Sequence, residues 1–409
     1  MVVVRALKDI LKIKIKNRHD DACDQFSRLF MTRVLLIASF LTGFNYFSDK
    51  ISCIIPPGSN LSQDFVHSAC WISGFYIYEE MKNKLSMSSY YGIPQKITHE
   101  GLTEDEKLCF VRDIYGRDPE CMPMTKIFYL QYQWLPFYIG TISLLYYMPY
   151  IFYSIVNTDI ISLKKAVDSS SGDVDALVKN YFNYNINSVF RLRLRVFLNV
   201  GVKLFYLVCN LFGFYFTDYL LLGNYLSYGF EYIKWSKLNS NKAHEFVNAR
   251  LTPKPGEVLL PSMGFCEIFE AYKETTLEKQ NANKFICEYS TNILNQYVLI
   301  LLWFFFVAGI FISAFGLARN VTGHVYQLWC VRCISGIKRS KKSITCYITL
   351  REIEYLEFMK KSNMVLYGDV LRKLRQLRPD LHGKIAEGFE TSNNNLKGVY
   401  IPMQGISHT

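Results

Sequence analysis

The chain lacks the local signatures that most enzymes carry. It has no glycine-rich phosphate loop, no His-Glu-x-x-His pair and no Gly-x-Ser-x-Gly elbow, so nucleotide cradling, zinc-dependent hydrolysis and serine-hydrolase chemistry have no seat here. Cys330-Val331-Arg332-Cys333 lies near His324 and Cys346 but lacks the second Cys-x-x-Cys pair of a zinc site. Reduced thiols are the simpler reading, with palmitoylation of a juxtamembrane cysteine as the other. No catalytic residue, metal or cofactor is expected. Met1 to Phe30 has no long apolar core followed by a small-residue cleavage site, which excludes a secretory signal peptide and leaves the first apolar block as its own signal anchor.

Apolar residues are plentiful. Half of the 409 residues are hydrophobic and 16% aromatic, and they gather in four blocks, Met31 to Phe47, Ile127 to Tyr153, Val196 to Leu222 and Tyr297 to Leu317. A helix needs roughly 20 apolar residues at about 1.5 Å each to cross a bilayer core. Each block is long enough, the first only just, which argues against two or three soluble domains. A net charge of +11 would suggest nucleic acid in a soluble protein. Here the cations concentrate in the first 18 residues, in Lys164, Lys165, Lys179, Arg191, Arg193 and Arg195, and from Arg319 to Lys397. Those segments share one side if every block spans, so the positive-inside rule puts both termini in the cytoplasm. No nucleic-acid partner is expected.

Cysteine placement agrees with that topology. Cys53, Cys70, Cys109 and Cys121 fall in the first outside loop, and Cys266 and Cys287 in the second. An even number in an oxidising compartment reads as a disulfide framework, although six cysteines allow fifteen pairings. The short polar segment holding Cys109 and Cys121 suits a local bridge. Asn60-Leu61-Ser62 is a glycosylation sequon on the same side, a triplet short enough to arise unused. Met1 to Arg18 reads as an amphipathic helix, through Val3, Ala6, Leu7, Ile10, Leu11 and Ile15, that lies on the inner leaflet or folds into a channel mouth. Ser39, Thr42 and Tyr46 share one face of the first block, where small polar residues serve either helix packing or a wet pore. Lys203, near the inner end of the third block, is placed to snorkel to the headgroups. Tyr347 to Leu377 shows helical periodicity, and Pro379 to Thr409 reads as a disordered tail.

Inside the second block runs Tyr132-Gln133-Trp134-Leu135-Pro136-Phe137. This string resembles the Tyr-Gln-Trp-Val-Pro-Phe signature of the innexin family, with Leu135 for Val and Gln131 where a Tyr is usual. The approach Asp20, Asp21, Asp24, Phe26, Arg28 and Leu29, the Cys70-Trp71-Ile72 step, and the third block from Lys203 to Cys209 are similar to that family as well. So is Pro261 with Cys266 and Cys287 in the second loop, although Leu260, Ser262, Gly264 and Glu267 depart from the family pattern. Connexins share the topology but carry three tightly spaced cysteines in each outer loop, which this chain lacks.

The resemblance implies an all-α membrane protein: a four-transmembrane-helix bundle with a disulfide-braced extracellular domain and a helical cytoplasmic domain. Expected segments are an arm (1–30), spans at 31–47, 126–156, 196–222 and 297–318, outer loops at 48–125 and 223–296, a cytoplasmic loop at 157–195, an inner helical domain at 319–378 and a tail at 379–409. It implies pairing of Cys53 with Cys287 and of Cys70 with Cys266. It also implies a conduit lined by Val2, Val3, Arg5, Ala6 and Lys8 with Ser39, Thr42 and Tyr46. The function implied is a plasma-membrane gap-junction channel. An octameric hemichannel would dock with that of an adjacent cell, alone or mixed with other innexins, and pass ions and small metabolites. The alternatives are a non-junctional, pannexin-like hemichannel with a glycan at Asn60, or a membrane adhesion or scaffold protein that does not conduct.

Overall fold

The computed structural model describes residues 21–48, 51–55, 61–82, 88–94, 107–110, 120–168, 173–238, 253–270, 281–334 and 348–377. Four helical segments are long and apolar enough to cross a membrane: Ala22–Phe44, Gln131–Val156, Val189–Leu220 and Ser290–Leu328. They are the first to fourth spanning helices below. The chain forms two compact units. One holds 29–146 and 209–310 and carries the main β-sheet. The other holds 14–28, 147–208 and 311–409 and is helical in its described residues.

In the sheet unit, the first spanning helix reaches its regular part (Thr32–Ser48) through a π-helical turn, Phe26–Met31, whose last residues begin the unit. The second starts at Gln131, five residues later than the expected span at 126–156, because Lys126–Tyr129 is a strand. The two pack through small residues spaced four apart. Ser39 and Gly43 face Gly140 and Pro136: a Cβ on Gly140 would lie 3.1 Å from Ser39 Oγ, and one on Gly43 3.6 Å from Pro136 Cβ. Such spacing lets two backbones approach closely in a bilayer.

The segments that link the first to the second and the third to the fourth spanning helix form an antiparallel sheet in the order β1 (Ser52–Ile54), β9 (Asn281–Glu288), β8 (Met263–Glu270), β2 (Phe75–Tyr78), β7 (Lys126–Tyr129). Two two-stranded ladders accompany it, β3 (Ser88–Tyr90) with β4 (Ile93–Pro94), and β5 (Lys107–Phe110) with β6 (Glu120–Pro123). All four residues of β2 are buried. Phe75 and Ile77 join one cluster with Val66, Tyr129, Tyr132 and Tyr289, while Tyr76 and Tyr78 join another with Met81, Ile93 and Phe265. A strand covered on both faces loses the alternation of a half-exposed one.

In the helical unit, the second spanning helix turns at Tyr147 and resumes as Met148–Val156, with Pro149 in its first turn where a missing N–H does no harm. Thr158–Asp168 and Val174–Tyr181 follow. Thr349 and Glu352 form a capping box that starts Leu350–Ser362, and Met364–Leu377 comes after Asn363. Leu163, Leu177, Phe182, Leu192, Tyr355, Leu356, Met359, Leu366, Val370 and Leu374 make one core. The periodic residues of the last two helices thus meet the helices between the second and third spans.

Candidate functional site

Two constructions stand out: a braced sheet and a set of buried ions. In the sheet, Cys53 lies opposite Cys287 across β1 and β9 and is bonded to it. Cys70, on the helix Gln63–Ser73, is bonded to Cys266 on β8. All four are buried. Each bond ties a first-loop residue to a second-loop residue, so neither loop can leave the sheet without the other.

The string Tyr132 to Phe137 carries the same brace into the second helix. Tyr132 Oη and Gln133 Nε2 both donate to the Trp71 carbonyl, at 2.7 and 2.8 Å. The Tyr132 ring lies 4.6 Å from that of Trp71 and 5.5 Å from that of Tyr289. Trp134 meets Tyr138 edge-on at 5.9 Å, and the Pro136 carbonyl accepts from Ser39 Oγ at 2.8 Å. Phe137 is exposed on the helix flank. The string is therefore a joint between sheet and bundle, and its polar groups serve that joint.

The departures in the second loop have physical counterparts. A Cβ at Gly264 would sit 2.0 Å from the Phe75 ring, so this backbone approach requires glycine. Glu267 accepts from Tyr76 Oη at 2.5 Å and from Lys126 Nζ at 2.9 Å. Its carboxylate so joins β8 to β2 and to β7.

Buried ions dominate the helical unit. Asp24 is buried and pairs with Lys203 of the third helix; Asp21 pairs with Arg319 of the fourth. Lys203 is 5% exposed, so it does not snorkel: a carboxylate from the approach to the first helix meets it instead. Ser27 Oγ lies 3.2 Å from Ser313 Oγ, and the Arg28 guanidinium sits 3.7 Å from the Tyr150 ring centre. The acidic Arg-Leu approach is thus tied to the other three spanning helices.

A second cluster is built on Arg351, whose side chain is fully buried. It donates to Asp159 through Nη2 and Nε at 2.7 and 2.9 Å, to Glu354 at 2.6 Å and to Asn157 Oδ1 at 2.8 Å. Arg195 of the third helix adds a contact to Asp159 at 2.9 Å, and Tyr355 donates to the same carboxylate. Two cations meet two carboxylates. Burial alone would push the Asp159 carboxyl up, but hydrogen bonds from Arg351 and Tyr355 and the charges of Arg351 and Arg195 hold it down to about 2. Asn157 Nδ2 donates onward to Asn199 Oδ1 at 3.2 Å. The ends of the second and third helices are so locked to Leu350–Ser362.

The expected pore residues divide. Thr42 is buried and donates to the Ala38 carbonyl, and Ser39 is committed to Pro136. Ser39 thus bonds across to the second helix, and Thr42 to its own helix. Val2, Val3, Arg5, Ala6 and Lys8 lie outside the described residues, as do the side chain of Tyr46 and the tail 378–409. Asn60 lies outside them too, while Ser62 Oγ accepts from the Phe65 N–H as a helix N-cap. The backbone register sets Cys109 opposite Cys121 on β5 and β6; their side chains are outside the described set. The Arg351 cluster was not foreseeable from local sequence, because Arg351 and Asp159 are 192 residues apart.

A family model described as Innexin matches residues 20–377, most of the chain. The chain is similar to innexin inx3 of Drosophila melanogaster, with 21% identity over 282 residues that cover 65% of this chain and 60% of that relative. It is 20% identical over 333 residues to innexin inx2 of Schistocerca americana, covering 78% of this chain and 80% of the relative. A stretch of 96 residues, 24% of this chain, is 32% identical to part of innexin inx4 of Anopheles gambiae and covers 25% of it.

Proposed function

The chain belongs to the innexin family, and on that premise we propose that it is a subunit of a gap-junction channel that passes ions and small metabolites between adjacent cells. The proposed assembly is an octameric hemichannel in the plasma membrane, docked end to end with one on the neighbouring cell and open to mixing with other innexins. Both termini face the cytoplasm in this reading, as the distribution of Lys and Arg favours. Conduction is passive, with selectivity set by width and charge along the pore. No catalytic step is involved.

The observation that carries the reading is the pair of disulfides between the two outer loops, Cys53 to Cys287 and Cys70 to Cys266. Docking two rims end to end costs ordering entropy if the loops are loose. A sheet cross-linked twice is ordered before contact. A bridge between Cys109 and Cys121 would extend the same logic, and their facing positions on β5 and β6 favour it.

The arm residues Val2, Val3, Arg5, Ala6 and Lys8 are proposed to enter the mouth, with Tyr46 further along the wall. Arg5 and Lys8 would then disfavour cations, and neutralising both raises the cation-to-anion permeability ratio. An unchanged ratio removes them from the pore. The decisive experiment pairs an image of the purified oligomer with current recordings between coupled cells that lack other innexins. Eight subunits around a hole and a junctional current are expected. A silent monomer sinks the proposal. Hemichannel current without coupling, together with a mobility shift on glycosidase treatment, would favour the non-junctional alternative with a glycan at Asn60.

A further inference from the structure

The first spanning helix is not α-helical throughout. Between Ala22–Gln25 and the long run Thr32–Ser48 lies the wide turn Phe26–Met31. Hydrogen bonds in such a turn reach back five residues instead of four, so it takes up one residue more than an α-helix for the same advance. Wide turns are rare, and one that persists needs surroundings that hold it. The surroundings here are charged. Asp24 and Lys203 are both buried and pair with each other, and Asp21 pairs with Arg319. Lys203 also lies 3.8 Å from the Asp21 carboxylate, so one ammonium serves both acids. One turn on, Ser27 Oγ stands 3.2 Å from Ser313 Oγ and the Arg28 guanidinium lies over the Tyr150 ring.

In an α-helix each residue adds a rotation of about 100° and a rise of about 1.5 Å. If the wide turn closed to α geometry with the helix beyond it in place, the approach would move by that one step. Each place would pass to the next residue: Gln25 would stand where Asp24 stands, Arg28 where Ser27 stands and Ala22 where Asp21 stands. Lys203 would then face an amide, Arg319 a methyl group and Ser313 a cation. The charges of the approach fit the wide register and not the other, and a buried ammonium stripped of its carboxylate is strongly unfavourable. We propose that Lys203 is the latch of a register switch in the first spanning helix: paired with Asp24 it holds the turn Phe26–Met31 wide, and without that pair the turn closes and the approach from Asp21 to Gln25 shifts by one residue. The turn is the two-state element and the buried pair is what biases it. Beyond the turn, the Phe30 ring meets that of Phe305 edge-on at 5.4 Å and Ser39 donates to the Pro136 carbonyl, so the regular part of the helix keeps its place. The shift falls on the approach and re-aims the chain where it enters the helix at Asp21. What that does to conduction rests on the channel reading above; the switch itself does not.

The test is disulfide trapping in the full-length protein, reconstituted in bilayer nanodiscs. Two reporter pairs are made in a Cys23→Ser background: Ser27→Cys with Ser313→Cys for the wide register, and Arg28→Cys with Ser313→Cys for the α register. Linked peptides are identified by mass spectrometry after mild oxidation and proteolysis. With Lys203 present, the first pair is expected to link and the second to stay open. Lys203→Met should reverse that order, and Lys203→Arg should keep it. Asp24→Asn combined with Gln25→Asp retains a carboxylate for Lys203 but moves it by one residue, and should also pass the link to the second pair. That variant keeps the buried charge paired, so a loss of fold in Lys203→Met leaves the switch testable. A first pair that still links alone in the combined variant overturns the proposal, as does a first pair that fails to link with Lys203 present. Loss of both links in a folded Lys203→Met, without transfer to the second pair, would show that Lys203 only anchors the approach, and overturns the switch too. Because the readout is a covalent link and not a current, a silent particle sinks the channel reading and leaves the switch standing, and the reverse holds as well.

Discussion

The two units of this chain solve the problem of burying distant segments together by opposite means. The sheet unit uses covalent bonds and rings: two disulfides and a cluster in which Phe75 lies 5.5 Å from Tyr129 and 4.0 Å from Tyr289. The helical unit has no disulfide among its described residues and relies on buried charge, Lys203 with Asp24 and Arg351 with Asp159. A disulfide acts mainly by limiting the unfolded chain and is indifferent to pH. A buried ion pair is balanced against desolvation, and removing one partner leaves the other stranded. One unit is therefore fixed, whereas the other can be shifted by protons or by a lost charge. That division suits the proposed channel, whose rim must hold its shape.

The largest test of this contrast is Arg351→Met. It takes from Asp159 and Glu354 the buried guanidinium they share, leaving Asp159 with Arg195 and Tyr355, at a cost of about 3–5 kcal/mol. Hydrogen exchange should quicken in Thr158–Asp168 and Leu350–Ser362 while the strands β8 and β9 stay protected. Equal quickening in the sheet would show that the units do not respond separately. Next is Cys70→Ser, which removes the bond to Cys266 and should cost about 2–4 kcal/mol. A reductant should weaken the wild-type sheet similarly and spare the helical unit. If reduced and oxidised protein melt alike, the brace adds nothing.

Acid gives a smaller effect of the opposite selectivity. The Asp159 carboxyl is held at about 2, below its ordinary 3.8. A depressed acid contributes stability that is complete above the unfolded value and disappears as pH falls toward the folded one. The contribution is on the order of 2 kcal/mol. The helical unit should therefore keep that contribution at pH 5 and lose it progressively between about pH 4 and 2, while the cross-linked strands change little. Melting curves across that window, with Asp159→Asn as the reference, check the sign. A variant that loses as much as the wild type on acidification would show that another group is responsible.

These contrasts also explain what could be read in advance. The four spans are legible because a run of apolar residues has few other fates, and the string Tyr132 to Phe137 marked the second. The sheet was hidden. Phe75 to Tyr78 is buried on both faces, so it lacks alternation, and Ile127 to Tyr129 is as apolar as the span it precedes. Lys126 to Tyr129 belongs to β7, but only its partner, Phe75 to Tyr78, reveals that. Lys203 was read as a headgroup lysine from its place near a span end; its carboxylate partner is 179 residues away. Apolar runs are local facts. Pairings between charges, or between strands, are not.

The smallest prediction concerns a contact that uses neither sulfur nor charge. Ser39 and Thr42 look like a polar stripe for a pore, yet Ser39 donates to Pro136 and Thr42 bonds back to its own helix. If their role is packing, Ser39→Ala removes one hydrogen bond worth about 1 kcal/mol and leaves unitary conductance and ion preference unchanged. Ser39→Leu should be far worse, because a Cβ at Gly140 would already lie 3.1 Å from the Ser39 oxygen and the close approach of the helices allows no branch there. A pore residue would behave the other way round, with Leu tolerated by the fold and conductance reduced. A change of conductance in Ser39→Ala at normal stability would place this face on the conduit instead.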